Sequence, residues 1–235
     1  MRIDHIYCIN LERSTDRRAN MEAEFEKAGL DVEFFKGCDG RKKGKDGQYG
    51  CAQSHMRIWR DMLKRGFGQV LIFEDDVTLS PNFDSKLESI IEPNGDWDML
   101  YIHSHPDTKI NMETRVGDWL LAKTVNLAAY VISDRGAKKM AYFNAERVTK
   151  DYEIDIWITE LPIDSWVYYN NDLVTVEKFG TEKSTIGLAS DRVFVNWHTF
   201  LYGIRSKLSG PLVPLMTTLI LAILLIVVLR RVRRS

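Results

Sequence analysis

Glu74, Asp75 and Asp76 stand together at the end of the apolar run Val70-Leu71-Ile72-Phe73. A run of this kind suits a strand in the middle of a parallel sheet, where both faces are covered. Three acids where a buried strand ends raise one another's pKa unless a cation or hydrogen-bond donors compensate. Open α/β sheets bind ligands at the carboxyl ends of their strands, so the position suits a bound cation. If strand geometry persists, the side chains of Glu74 and Asp76 point the same way. Two hard oxygen ligands, completed by phosphate oxygens, suit Mg²⁺ or Mn²⁺. The alternative is an acidic turn in which Asp75 or Asp76 caps the next helix.

Strands are expected over residues 3–10, 32–36, 69–73, 99–103, 128–133 and 166–169. Between them the spacing predicts a helix from Ser14 to about Gly29 with Met21, Phe25 and Ala28 inward. Further helices are expected from Cys51 to Arg65 and from Asp134 to about Phe143. The opening order of strand, helix, strand is that of a parallel sheet with crossover helices. Residues 39–50 hold four glycines and four basic residues and read as a solvated connection, with a diphosphate or acceptor contact as the alternative. The chain has 235 residues, 45% of them hydrophobic and 28% charged, which fits one folded, enzyme-sized body.

Four of the 32 basic residues are Arg230, Arg231, Arg233 and Arg234, and all 33 acidic residues precede them. The body is therefore acidic, which argues against nucleic acid as a partner, since such binding needs Lys and Arg against phosphates. Cys8, Cys38 and Cys51 match no zinc spacing and are expected as reduced thiols. From Leu208 to Leu229 no residue is charged. A helix of roughly 18 to 22 residues spans about 30 Å, the thickness of a bilayer core. Residues 209–235 are thus expected to form one transmembrane helix with a basic tail, in contact with membrane lipid. Val193, Trp197, Leu201, Ile204 and Leu208 recur at helical spacing, which predicts an amphipathic juxtamembrane helix over 191–208, with His198 structural. The start Met1-Arg2-Ile3-Asp4-His5 lacks the apolar stretch of a secretory signal. The expectation is a single-pass C-terminal anchor with a cytosolic body over 1–190.

Several blocks in order carry a resemblance. They are Ile9-Asn10-Leu11 with Arg13 and Asp16-Arg17, Gly50-Cys51-Ala52-Gln53-Ser54-His55, and Leu71-Ile72-Phe73-Glu74-Asp75-Asp76-Val77. Ala129-Tyr130-Val131-Ile132-Ser133 with Gly136-Ala137-Lys138-Lys139, Glu153-Ile154-Asp155 and Ser184-Thr185-Ile186 follow. Together they resemble glycosyltransferase family 25, which includes bacterial lipooligosaccharide and animal collagen galactosyltransferases. The resemblance implies a GT-A-like, Rossmann-type α/β fold with a mostly parallel central sheet. It also implies a UDP-sugar donor, UDP-galactose or UDP-glucose, inversion at the anomeric carbon, and Mn²⁺ or Mg²⁺ at the acidic block. Glu74 and Asp76 would then be metal ligands, with Asp75 beside them in the donor site. Asn10 and Leu11 fall in the first block. Arg13 and Arg17 can pair with phosphate or nucleotide, or be ordinary surface arginines. Ser54 and His55 can touch ribose or pyrophosphate, although capping alone would explain the serine. An inverting transfer needs a carboxylate base. Asp155 is the candidate and Glu153 the reserve. The acceptor would be a glycan, glycolipid or glycoprotein hydroxyl, as in lipopolysaccharide biosynthesis. Two rival readings are an inactive, tail-anchored interaction protein with a transferase fold and a metal-dependent phosphohydrolase.

Overall fold

The computed structural model describes residues 1–104, 114–145 and 153–176. β1 (His5–Asn10) is followed by α1 (Thr15–Ala28), β2 (Glu33–Lys36) and a 3₁₀ turn at Arg41–Lys43. Next come α2 (Gly47–Arg65), β3 (Gln69–Glu74), β4 (Val77–Leu79), α3 (Phe83–Ser89) and β5 (Met99–Tyr101). β6 (Arg115–Val116), β7 (Trp119–Leu121), β8 (Ala129–Ser133) and α4 (Asp134–Met140) precede α5 (Ile154–Glu160), β9 (Ser165–Tyr168) and β10 (Val174–Val176).

One eight-stranded sheet has the order β2-β1-β3-β8-β5-β9-β7-β6, and β10 pairs with β4 in a small ribbon. β1 runs parallel to both β2 and β3, as the strand, helix, strand opening predicts. β8 lies antiparallel between β3 and β5, β9 is parallel to β5, and β7 opposes β9 and β6. Six strands therefore share one direction, and β8 and β7 oppose it. All five residues of β8 are buried, and a strand buried on both faces has no pattern that encodes its direction.

The sheet separates two apolar layers by the alternation of its side chains. Tyr7, Val70, Ile72, Tyr130 and Ile132 face Met56, Trp59 and Met62 of α2, Met140 of α4 and Ile158 of α5. Cys8, Leu71, Phe73, Ala129 and Val131 face Met21 and Phe25 of α1 and Phe83 and Leu87 of α3. The buried face of α1 is the expected one, with Ala28 at its partly buried edge. Ser14 flanks α1 but makes no side-chain cap bond. Gly29 ends the helix in the left-handed region at φ 69°, a conformation glycine adopts without strain.

α2 starts a turn earlier than the sequence predicts. Asp46 accepts a hydrogen bond from the Tyr49 amide at 2.9 Å, so the helix is capped inside the stretch expected as open loop. Gly50 sits where this first turn crosses the chain after β2. A Cβ there would lie 2.4 Å from the Cys38 carbonyl oxygen and 2.9 Å from the Gly40 nitrogen. Only glycine admits that approach.

Among the described residues no helix is long and apolar enough to cross a membrane. The expected amphipathic helix over 191–208, the expected span over 209–235 and the Ser184-Thr185-Ile186 block lie outside the described residues.

Candidate active site

The carboxyl ends of β1 and β3 meet the first turns of α1 and α2 around an open cleft. Leu11, Arg13, Arg17, Cys51, Ser54, His55, Glu74, Asp75 and Asp76 line it. Register explains the meeting, because Ile9 pairs with Glu74 across β1 and β3. Asn10 and Asp75, one residue further on, are then neighbours above the sheet edge.

Strand pairing stops at Glu74, so the expected common face for Glu74 and Asp76 does not form. Glu74 keeps its strand orientation and meets α2, accepting from His55 Nε2 at 3.2 Å and from the Cys51 thiol at 3.7 Å. Asp75 accepts from Asn10 Nδ2 at 2.7 Å and from Arg17 Nη1 at 2.6 Å. Asp76 turns toward the same guanidinium at 3.6 Å. The acidic block is split, with one carboxylate on the α2 side and two on the α1 side.

The electrostatics follow this split. Burial raises Glu74, but the hydrogen bond and charge of His55 outweigh it and leave the carboxyl below its ordinary range. Asp76 goes the other way, lifted to about 7 by burial first and then by the Glu74 charge, with Arg17 only partly offsetting. Its Oδ1 is buried and has no hydrogen-bond partner among the described residues. An unsatisfied buried carboxylate oxygen costs free energy, and a cation is the partner that would remove both that cost and the repulsion from Glu74.

Arg13 and Arg17 lie in the cleft as expected, yet both have protein partners. Arg13 pairs with Asp39 at 2.8 Å and Arg17 with the acidic block. Asp39 is held below its ordinary range chiefly by the Arg13 hydrogen bond. Ser54 is buried, accepting from the Cys38 amide at 2.8 Å and donating to the Gly50 carbonyl at 2.7 Å. That pairing ties α2 to the chain after β2. His55 has no exposed surface, and both its ring nitrogens are engaged, Nδ1 with Tyr130 Oη at 2.8 Å. In this arrangement both residues build the cleft wall, and neither offers a spare polar atom to ribose.

Glu153 and Asp155 stand at the start of α5. Glu153 accepts from Gln48 Nε2 of α2 at 2.6 Å, and Asp155 Oδ1 accepts from the Ile156 amide at 2.8 Å. Burial first, then the Asp155 charge, lifts Glu153 to about 7. Burial also lifts Asp155 to about 6, with the Glu74 charge adding to it. The two acids expected as base candidates therefore feel the acidic block, although neither lines this cleft.

The sequence assigns no site role to Gln48, Trp59 or Tyr130, and Cys51 is expected there only as a reduced thiol. The i, i+4 spacing of Cys51 and His55 was a readable sign that they share a helix face. Nothing in the sequence marks Tyr130 as the partner of His55.

The family profile described as "Glycosyltransferase family 25 (LPS biosynthesis protein)" matches residues 3–158, and this chain belongs to glycosyltransferase family 25. A "Glycosyltransferase 25 family member" of Aedes aegypti is 32% identical over 215 residues, which is 74% of this chain and 34% of that protein. The "Inactive glycosyltransferase 25 family member 3" of Mus musculus is 26% identical, over 60% of this chain and 29% of its own length. The chain thus spans about a third of the length of these relatives. The crystal structure of a glycosyltransferase involved in glycosylation of the major capsid of PBCV-1 superposes with a TM-score of 0.47 at 10% identity. It covers 84% of this chain and 98% of that one, and at that score the likeness is too loose to define the fold.

Proposed function

We propose that this protein transfers a hexose, galactose or glucose, from a UDP-sugar to a hydroxyl of a glycan, glycolipid or glycoprotein, with inversion, on a GT-A-type fold. The observation that carries this reading is Asp76 Oδ1, buried without a partner among the described residues beside Glu74 and Asp75 at the carboxyl edge of the sheet. Oxygen ligands at such an edge fit Mn²⁺ or Mg²⁺. Asp76 would hold the ion, with Asp75 and Glu74 beside it. When bound, the ion supplies Lewis-acid neutralisation of the departing diphosphate.

The chain's own residues supply the rest. Arg13 and Arg17 line the approach and offer guanidinium forks that match phosphate geometry. Asn10 holds the Asp75 carboxylate through its Nδ2 hydrogen bond, and Leu11 lines the cleft. Asp155, or Glu153 beside it, takes the proton of the acceptor hydroxyl. Values lifted to about 6 and about 7 lie near neutrality, where a general base works best.

A second reading is a transferase fold kept without turnover. It is favoured by the Arg17 ion pairs, which partly neutralise the acidic block with no metal, and by relatives whose names call them inactive. The 235-residue chain incubated with UDP-galactose and UDP-glucose, with and without Mn²⁺, separates the two. Metal-dependent UDP release supports transfer, and its absence with each sugar over a folded protein supports the second reading.

The membrane anchor is proposed from the apolar stretch 209–229 and the arginines after it. Carbonate extraction should leave the full chain in the membrane pellet, whereas a chain ending at 208 should move to the supernatant and still process its donor. A full chain extracted by carbonate would overturn the anchor.

A further inference from the structure

Cys51 and His55 occupy successive turns of the α2 face that looks onto Glu74. The thiol sulfur, one imidazole nitrogen and one carboxylate oxygen of this trio all lie within 4.8 Å of one another. We infer that Cys51, His55 and Glu74 form a binding site for a borderline-soft divalent cation of the Zn²⁺ class, distinct in ligand chemistry from the hard-cation position at Asp76.

The spacing can be tested against coordination geometry. With Zn–S near 2.3 Å, Zn–N near 2.0–2.1 Å and Zn–O near 2.0–2.2 Å, a tetrahedron has S···O edges of roughly 3.6 Å and N···O edges of roughly 3.4 Å. Cys51 Sγ to Glu74 Oε1 is 3.7 Å and His55 Nε2 to Glu74 Oε1 is 3.2 Å. Both edges agree within about 0.2 Å, and the third, between Cys51 Sγ and the imidazole nitrogen, lies within 4.8 Å where a tetrahedron needs roughly 3.6 Å.

The surroundings have the form such a site requires. A metal-bound imidazole is held by a partner on its other nitrogen. Here Nδ1 faces Tyr130 Oη at 2.8 Å, and Tyr130 is itself fixed by the Trp59 indole at 3.0 Å. His55, Trp59 and Tyr130 are all fully buried, so the ring cannot turn away. Cys51 and Glu74 reach the cleft, which leaves the ion an entry path and a fourth position for water or an incoming oxygen. On binding, the Cys51 thiol gives its proton to solvent and the imidazole carries its remaining proton on Nδ1, toward Tyr130 Oη. One sulfur, one nitrogen and one oxygen select Zn²⁺ or Co²⁺ over Mg²⁺ and Mn²⁺, which prefer all-oxygen shells.

The consequence for the cleft is competition for Glu74. A soft ion would draw that carboxylate toward α2 and away from the hard-cation position. Metal binding by Cys51, His55 and Glu74 does not depend on sugar transfer and is read optically.

The 235-residue chain is titrated with Co²⁺ alone. The expected result is a thiolate-to-cobalt charge-transfer band with visible bands of tetrahedral intensity, both bleached by added Zn²⁺. Cys51→Ser should remove the charge-transfer band, whereas Cys8→Ser and Cys38→Ser should keep it. Tyr130→Phe should weaken Co²⁺ binding by roughly 10- to 100-fold. In the unmodified protein, Zn²⁺ should also protect Cys51 from alkylation, which needs no variant to fold. No charge-transfer band from the folded protein, a band that survives Cys51→Ser, or alkylation of Cys51 indifferent to Zn²⁺ overturns the site. Loss of UDP release with these signals intact would instead count against the transfer reading alone.

Discussion

Replacing Arg17 with alanine removes the cation that, among the described residues, lies within 4 Å of both Asp75 and Asp76. The Arg17 side chain is 15% exposed and that of Asp75 11%, with Nη1 to Oδ1 at 2.6 Å. At an effective dielectric of about 20, that separation corresponds to about 6 kcal/mol of gross attraction. Most of it is cancelled by desolvation, and breaking a buried pair from one side has a net cost of about 3–5 kcal/mol. Asn10 still donates to Asp75 at 2.7 Å, so the lower end applies and we expect a loss of about 3 kcal/mol. Urea unfolding followed by tryptophan fluorescence measures it, since Trp59 and Trp119 are fully buried reporters on the two sides of the sheet. Arg17→Lys should recover part of the loss, because it restores charge without the planar fork. Donor affinity should fall with little change in kcat, since a phosphate contact is present in ground and transition states alike. A variant within about 0.5 kcal/mol of the parent would show that solvent, and not Arg17, compensates the acidic block.

Asp76→Asn should abolish metal-dependent UDP release and leave the fold intact. Because the folded carboxyl is lifted from 3.8 to about 7, its contribution to stability is present below about pH 4 and lost as pH rises through 7. The asparagine variant should therefore match the parent in acid and exceed it above pH 7, and the opposite ordering would refute the repulsion. Glu153→Gln follows the same sign, from 4.5 to about 7. The ceiling is about 3 kcal/mol, and screening of a half-buried group lowers the expected gain at pH 8 to about 1 kcal/mol. An unfolding series from pH 4 to 8 with parallel curves would contradict it. Gly50→Ala should cost more than about 2 kcal/mol, because its Cβ meets backbone and not a yielding side chain. A well-folded Gly50→Ala protein with native melting would disprove the close approach of α2 to the chain after β2.

The sequence alone determined what local pattern and residue type can specify. The unbroken apolarity of 70–73 required a strand covered on both sides, and the acids after it required compensation. The spacing of Met21 and Phe25 required the inner face of α1. The ordered blocks from Asn10 to Asp155 located the cleft residues and the family. The tertiary structure decided which residues meet from distant parts of the chain. Strand direction belongs to that class. β8 reads the same in either sense, since every side chain is buried, and its antiparallel insertion between β3 and β5 depends on its connections. The division of the acidic block belongs there too. Alternation extrapolated past Phe73 put Glu74 and Asp76 together, but the chain turns after Glu74 and gives Asp75 and Asp76 to Arg17. Ser54 and His55 were visible as cleft residues by sequence, yet their partners Cys38 and Tyr130 are brought to them by packing. A hydrogen bond between residues 75 positions apart leaves no periodic trace in the chain, and only the folded sheet sets its length.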